Sequence, residues 1–159
     1  MHRVRFVLFW LVVVVCAAPN VIPARSQEPD SEITAWLQAH VIPLNTIEPS
    51  GNDEDLRPLK GLIGDARIVA LGEATHGTHE FFTIKHRMVE FLVQEMGFTI
   101  FAIEANLPEA ERINHYVQTG EGNPTELLVG LHFWTWNTQE VLDLIEWLRQ
   151  YNADPKHPK

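Results

Sequence analysis

The stretch "RIVALGEATHGTHEFFTIKHRMVEFLVQEMGFTIFAIEA", Arg67 to Ala105, decides how this chain reads as a fold. It opens on Arg67–Leu71, a short β-branched apolar run ended by Gly72, which is the pattern of a strand buried on both faces. From Glu80 onward Phe81, Ile84, Met88, Phe91 and Leu92 fall at helical spacing, with Thr78 placed as a cap and Gly97 as a C-terminal stop. "FTIFAIEA", Phe98 to Ala105, restores the buried-strand pattern. Strand, helix and strand in this length predict a βαβ unit, its two strands parallel and joined by a right-handed crossover. The expected fold class is therefore α/β: a partial parallel sheet at about 67–105 flanked by helices.

Outward from this unit the periodicity is helical. "SEITAWLQAHVIPL" sets Ile33, Trp36, Leu37 and Val41 on one face, and a short helical turn is expected around Leu59–Ile63 after the turn-rich "EPSGNDEDLRP". Three Asn-x-x-Glu pairs, Asn106/Glu109, Asn123/Glu126 and Asn137/Glu140, each mark a helix start. The helices they predict run roughly 108–118, 124–131 and 138–152. Two strands make a poor sheet, so the chain reads as an incomplete, N-terminal portion of a larger domain.

The composition suits one modest globular domain: 159 residues, 45% hydrophobic and 21% charged. A formal net charge of -9 argues against a nucleic-acid partner, which would ask for a basic face. At the start, Arg3 and Arg5 precede an unbroken apolar run from Phe6 to Ala18 and then the small-x-small group Ala24-Arg25-Ser26. This order predicts a cleaved signal peptide over 1–26, a mature chain from Gln27, and a secreted or periplasmic location. The run is short of the ~20 apolar residues of a membrane span, so no stable span is expected after its removal. Cys16, the only cysteine, lies in that leader, so a mature chain without a thiol has no disulfide, thiolate ligand or cysteine nucleophile.

In a parallel α/β sheet, reactive groups gather beyond the carboxyl ends of the strands. Glu73 leaves the end of the first expected strand and Glu104 ends the second. Adjacent strands ~4.8 Å apart would bring both carboxylates and His76 to one small group. A neutral imidazole takes a proton from water while a carboxylate orients the ring and stabilises its charged form. The bland alternative has Glu73 capping loop N–H groups and His76 satisfying a carbonyl; Gly72 and Gly77, which permit a tight turn with close approach, favour the site. Glu73-x-x-His76-x-x-His79 with Glu104 would also serve as a set of nitrogen and oxygen metal ligands. His79 and His86 are read as lying on a partly exposed helix face, Lys85 and Arg87 as solvated helix charges or as holders of a carboxylate near the loop, and Trp134 and Trp136 as either pocket wall or core.

The segments "LGEATHGTHEF", "FAIEAN", "YVQTG" and "FWTWNTQEVLDLIEWLRQYN" together resemble the erythromycin esterase family, in the same order and across roughly Arg67 to Lys159. The resemblance implies a larger α/β hydrolytic domain that opens a macrolide lactone by attack of water, without a covalent intermediate and without a cofactor. It makes His76 the general base, Glu73 and Glu104 its carboxylate partners and Lys85 the flanking cation, where the family often carries arginine; lysine keeps the charge and loses the bidentate fork. It also implies a further histidine beyond Lys159, hence weak or no activity in this length alone. The expectation is a carboxylic ester hydrolase of antibiotic-resistance type acting on a small-molecule ester or lactone. The alternatives are a metal-dependent hydrolase of similar fold and a non-catalytic ligand-binding module.

Overall fold

The computed structural model describes residues 31–49 and 52–157, so the expected signal peptide over 1–26 lies outside the described residues. The chain divides into two compact units, 1–41 and 42–159. In the first, α1 (Ser31–His40) buries none of its residues. Trp36 stacks on His40 at 4.4 Å between ring centroids, and the His40 Nδ1 lies 2.7 Å from the Trp36 carbonyl oxygen.

The second unit carries α2 (Pro58–Ile63), α3 (His79–Met96), α4 (Leu107–Thr119), α5 (Pro124–Gly130) and α6 (Gln139–Ala153). All five stand where the periodicity put them. Gly97 ends α3 in the left-handed conformation at φ +72°, its N–H bonded to the Leu92 carbonyl, as a glycine stop does. Asn123 caps α5 with its side chain on the Thr125 and Glu126 N–H groups. Asn106 occupies the cap position of α4 without a side-chain bond. At α6 the cap is Thr138, bonded to the Val141 N–H, one residue beyond the expected Asn137.

The expected α/β class is overturned: the described residues form helices and no strand, so the parallel sheet and the βαβ unit at about 67–105 are absent from them. Residues 67–73 and 97–103 run as irregular segments on either side of α3. Their β-branched residues suit a pleated surface, but a strand exists only through a ladder to a partner, and these two segments form none. Ile68 and Ile100 are each 85% exposed, the opposite of a core strand.

The core is instead helical. Phe82 of α3, Tyr116 of α4, Leu128 of α5, Leu131, and Val141 and Ile145 of α6 make one buried cluster, joined at its edge by Ile103, Ala105 and Trp136. Helix α6 packs against α3, α4 and α5. The Tyr116 hydroxyl donates to Glu146 Oε2 at 3.0 Å, and Asn152 Nδ2 donates to the Val117 carbonyl at 2.9 Å, tying α4 to α6.

On another face of α3 sits Arg87, with 1% of its side chain exposed. It is therefore no solvated helix charge. Its guanidinium donates to both oxygens of Asp55, to the Thr46 carbonyl and to the Asn52 carbonyl at 2.8 Å. Asp53 lies 3.8 Å from its Nε. The hydrogen bonds from Arg87 hold Asp55 down at about 2, whereas burial raises Asp53 against the pull of the same cation. His86, next along, is buried rather than partly exposed; its Nε2 lies 3.0 Å from Glu90 Oε1 and its ring meets Trp147 edge-on.

Candidate active site

Residues 73–78 are a loop held at the N-terminus of α3. Gly77 adopts φ +76°, a conformation that glycine enters without the Cβ penalty. Thr78 precedes the first helical residue and makes no capping bond; its hydroxyl pairs with that of Thr75 at 2.9 Å.

The loop places Glu73 between His76 and Lys85. One carboxylate oxygen, Oε1, bonds His76 Nδ1, and the other, Oε2, accepts from Lys85 Nζ. Lys85 stands in the second turn of α3, so its reach back to Glu73 closes the loop onto the helix, with the ammonium also 5.3 Å from the Phe82 ring centroid. The Glu73 side chain is 7% exposed and that of Lys85 16%, while His76 is 57% exposed. Burial alone would raise the Glu73 carboxyl, but the hydrogen bonds from Lys85 and His76 outweigh it and hold the group below its ordinary value. Glu73 is thus an ionised acceptor, and His76 Nδ1–H donates to it. A neutral imidazole donating through Nδ1 carries its lone pair on Nε2, the atom that can act as a base.

Three of the four expected site residues, Glu73, His76 and Lys85, therefore meet. Glu104 does not join them through its carboxylate, which makes no hydrogen bond or ion pair with them. Its backbone carbonyl accepts from Trp136 Nε1 at 2.9 Å. Adjacent strands would have brought the two carboxylates together, and without a ladder that spacing is lost. His79 turns away from Glu73: its Nδ1 lies 2.6 Å from Glu140 Oε1, so the set Glu73, His76 and His79 is not assembled. Among the described residues no group of three or more His, Cys, Asp and Glu side chains is arranged to hold a metal. The bond to Glu140 raises His79, and the bond to His79 lowers Glu140.

The sequence reading missed Glu140 as a partner, because Asn137-x-x-Glu140 accounted for it as a capping residue. Trp134, expected as either pocket wall or core, is outside the core and beside the loop: its ring meets His76 edge-on at 5.9 Å and 80°. Trp136 takes the core side, edge-on to Phe82 at 5.9 Å.

The erythromycin esterase family model matches residues 93–159. The chain is 37% identical over 122 residues to erythromycin esterase type II of Escherichia coli, covering 76% of this chain and 28% of that protein. It is 29% identical over 147 residues to the putative hydrolase YbfO of Bacillus subtilis, covering 92% of this chain and 32% of that one. Among solved structures, a succinoglycan biosynthesis protein matches at a TM-score of 0.76 and 47% identity, over 84% of this chain and 33% of its own. A Bacillus cereus protein matches at 0.75 and 49%, over 81% and 31%. The chain thus spans about a third of the length of the relatives it matches. The family model and these relatives together support its membership of the erythromycin esterase family, over the part of the family's length that the chain spans.

Proposed function

We propose that the protein is a hydrolase of carboxylic esters, macrolide lactones among them, in which His76 activates water. The observation that carries this reading is the Glu73 carboxylate bracketed by His76 Nδ1 and Lys85 Nζ, with the imidazole itself more than half exposed. The relatives add the reaction class, since one is named an erythromycin esterase and another a putative hydrolase.

In this mechanism Nε2 of His76 takes a proton from water as the oxygen attacks the ester carbonyl. The imidazolium so formed is stabilised by Glu73 through Nδ1–H. It then returns the proton to the departing alkoxide as the carbon–oxygen bond breaks, giving an acid and an alcohol. Lys85 keeps Glu73 ionised and fixed, so that the ring does not turn during the transfer. Export through the expected 1–26 leader would place this activity in the periplasm or outside the cell, where an antibiotic ester would first be met.

Hydrolysis of 4-nitrophenyl acetate and of a macrolide lactone, by the protein and by its His76→Ala variant, tests the reading. A loss on the order of 10²–10⁴ in rate is expected for removal of a general base. Equal turnover by the two proteins would falsify it.

A further inference from the structure

Trp134 stands beside the His76 ring and is itself largely exposed. Its side chain is among the large hydrophobics left in solvent, with the residue 71% exposed. A Cβ built on Gly77 would lie 3.7 Å from Trp134 Cζ3, so the indole packs over the glycine of the site loop as well as against His76. An indole offers a large rigid apolar surface at little entropic cost, and leaving it in water forfeits its burial energy.

That exposure is not the looseness of a free loop. The residues on either side are anchored: Thr135 is buried, and Trp136 is bonded to the Glu104 carbonyl and packed on Phe82. The loop begins at His132, which holds φ +58°, a left-handed conformation uncommon for a residue with a side chain. It ends where His79 and Glu140 join the first turns of α3 and α6. Residues 132–138 are thus pinned at both ends and in the middle, with one large ring directed out beside the base.

We infer that Trp134 is a specificity-determining residue, a platform that receives the apolar part of an ester whose carbonyl lies at His76. The inference rests on the hydrolase reading above and adds to it a class of substrate: esters with an extended aliphatic acyl or alkyl part, in preference to short polar ones.

The test separates binding from turnover by using amides, which lack a readily displaced alkoxide. Binding of N-methyloctanamide and N-methylacetamide to the full chain is measured by ligand-observed NMR. The expected preference for the longer probe is about ten-fold or more, the amount that burial of roughly two methylene groups provides. Trp134→Ala is expected to reduce that preference to below about three-fold, since the apolar surface is gone. Trp134→Phe retains most of it, and His76→Ala leaves it in place. An octanamide preference absent in the wild-type chain, or unchanged in Trp134→Ala, overturns the inference. If the preference follows Trp134 while His76→Ala leaves 4-nitrophenyl ester hydrolysis unaltered, the platform stands and the general-base reading alone fails. Because Trp134 is exposed, the alanine variant should keep its helical circular dichroism, and the phenylalanine variant provides the comparison with an aromatic ring retained.

Discussion

Replacing Arg87 by methionine should unfasten the segment before α2 from α3. The guanidinium is 1% exposed and makes four hydrogen bonds, two to Asp55 and one each to the Thr46 and Asn52 carbonyls. Methionine keeps most of the volume and removes the charge, leaving the Asp55 and Asp53 carboxylates side by side without their cation. Breaking a buried ion pair from one side costs about 3–5 kcal/mol. Asp55 keeps the Asn45 N–H at 2.7 Å, which puts the loss toward the lower end, near 3 kcal/mol. For a unit of this size the melting temperature should fall by roughly 10 °C. Urea unfolding followed by circular dichroism at neutral pH gives the free energy, and Asp55→Asn in the Arg87→Met background should recover part of it by removing one orphaned charge. The acid limb is a second check. Asp55 is depressed to about 2 from an ordinary 3.8, so its contribution is complete above 3.8 and is lost as the pH falls toward 2. The methionine variant should lose this dependence. A destabilisation below about 1 kcal/mol, the range of a surface ion pair, would refute the burial argument.

Further perturbations address the site and the helix ends. Glu73→Gln, which keeps the hydrogen-bonding shape and removes the charge facing His76 and Lys85, should reduce ester hydrolysis by about 10²-fold or more, read as kcat/KM on 4-nitrophenyl acetate. The His79–Glu140 pair predicts a bounded pH window. Raised His79 contributes in full below its ordinary 6.5 and fades as the pH climbs through its folded value. Lowered Glu140 contributes in full above 4.5 and fades as the pH drops through its folded value. NMR titration should place His79 above 6.5 in the wild type and return it toward 6.5 in Glu140→Gln; identical titrations would count against the pair. Asn123→Ala should cost about 1 kcal/mol through loss of the α5 cap, measurable by urea unfolding.

The helices were legible because each carries its own signal. Apolar spacing, Asn starts and a glycine stop act within a few residues, and α3 to α6 stand where those signals lie. The sheet was not, because β-branched runs such as Arg67–Leu71 state a preference that only a partner strand turns into structure. Within the site, Glu73 and His76 are three apart in sequence and were found together. Lys85 was placed by family likeness, and its ammonium meets the Glu73 carboxylate. Glu104 was tied to the site by an expected strand pairing, and its carboxylate stands apart once that pairing is absent. Glu140 and Arg87 were misread for one reason: a local explanation, a cap in one case and a solvated charge in the other, concealed partners distant in sequence.

Lys85 and Arg87 are two residues apart on α3, and at 3.6 residues per turn their side chains leave the axis on nearly opposite flanks. One is gripped by Glu73 and the other by Asp55, anions from separate loops. A helix seated only on an apolar stripe can roll about its own axis while neighbouring rotamers adjust. One braced by ion pairs on opposite flanks cannot, because any roll stretches both. The heading of α3 is therefore set by two torsional stops, and the loop that carries His76 inherits its orientation from a guanidinium on the other side of the helix.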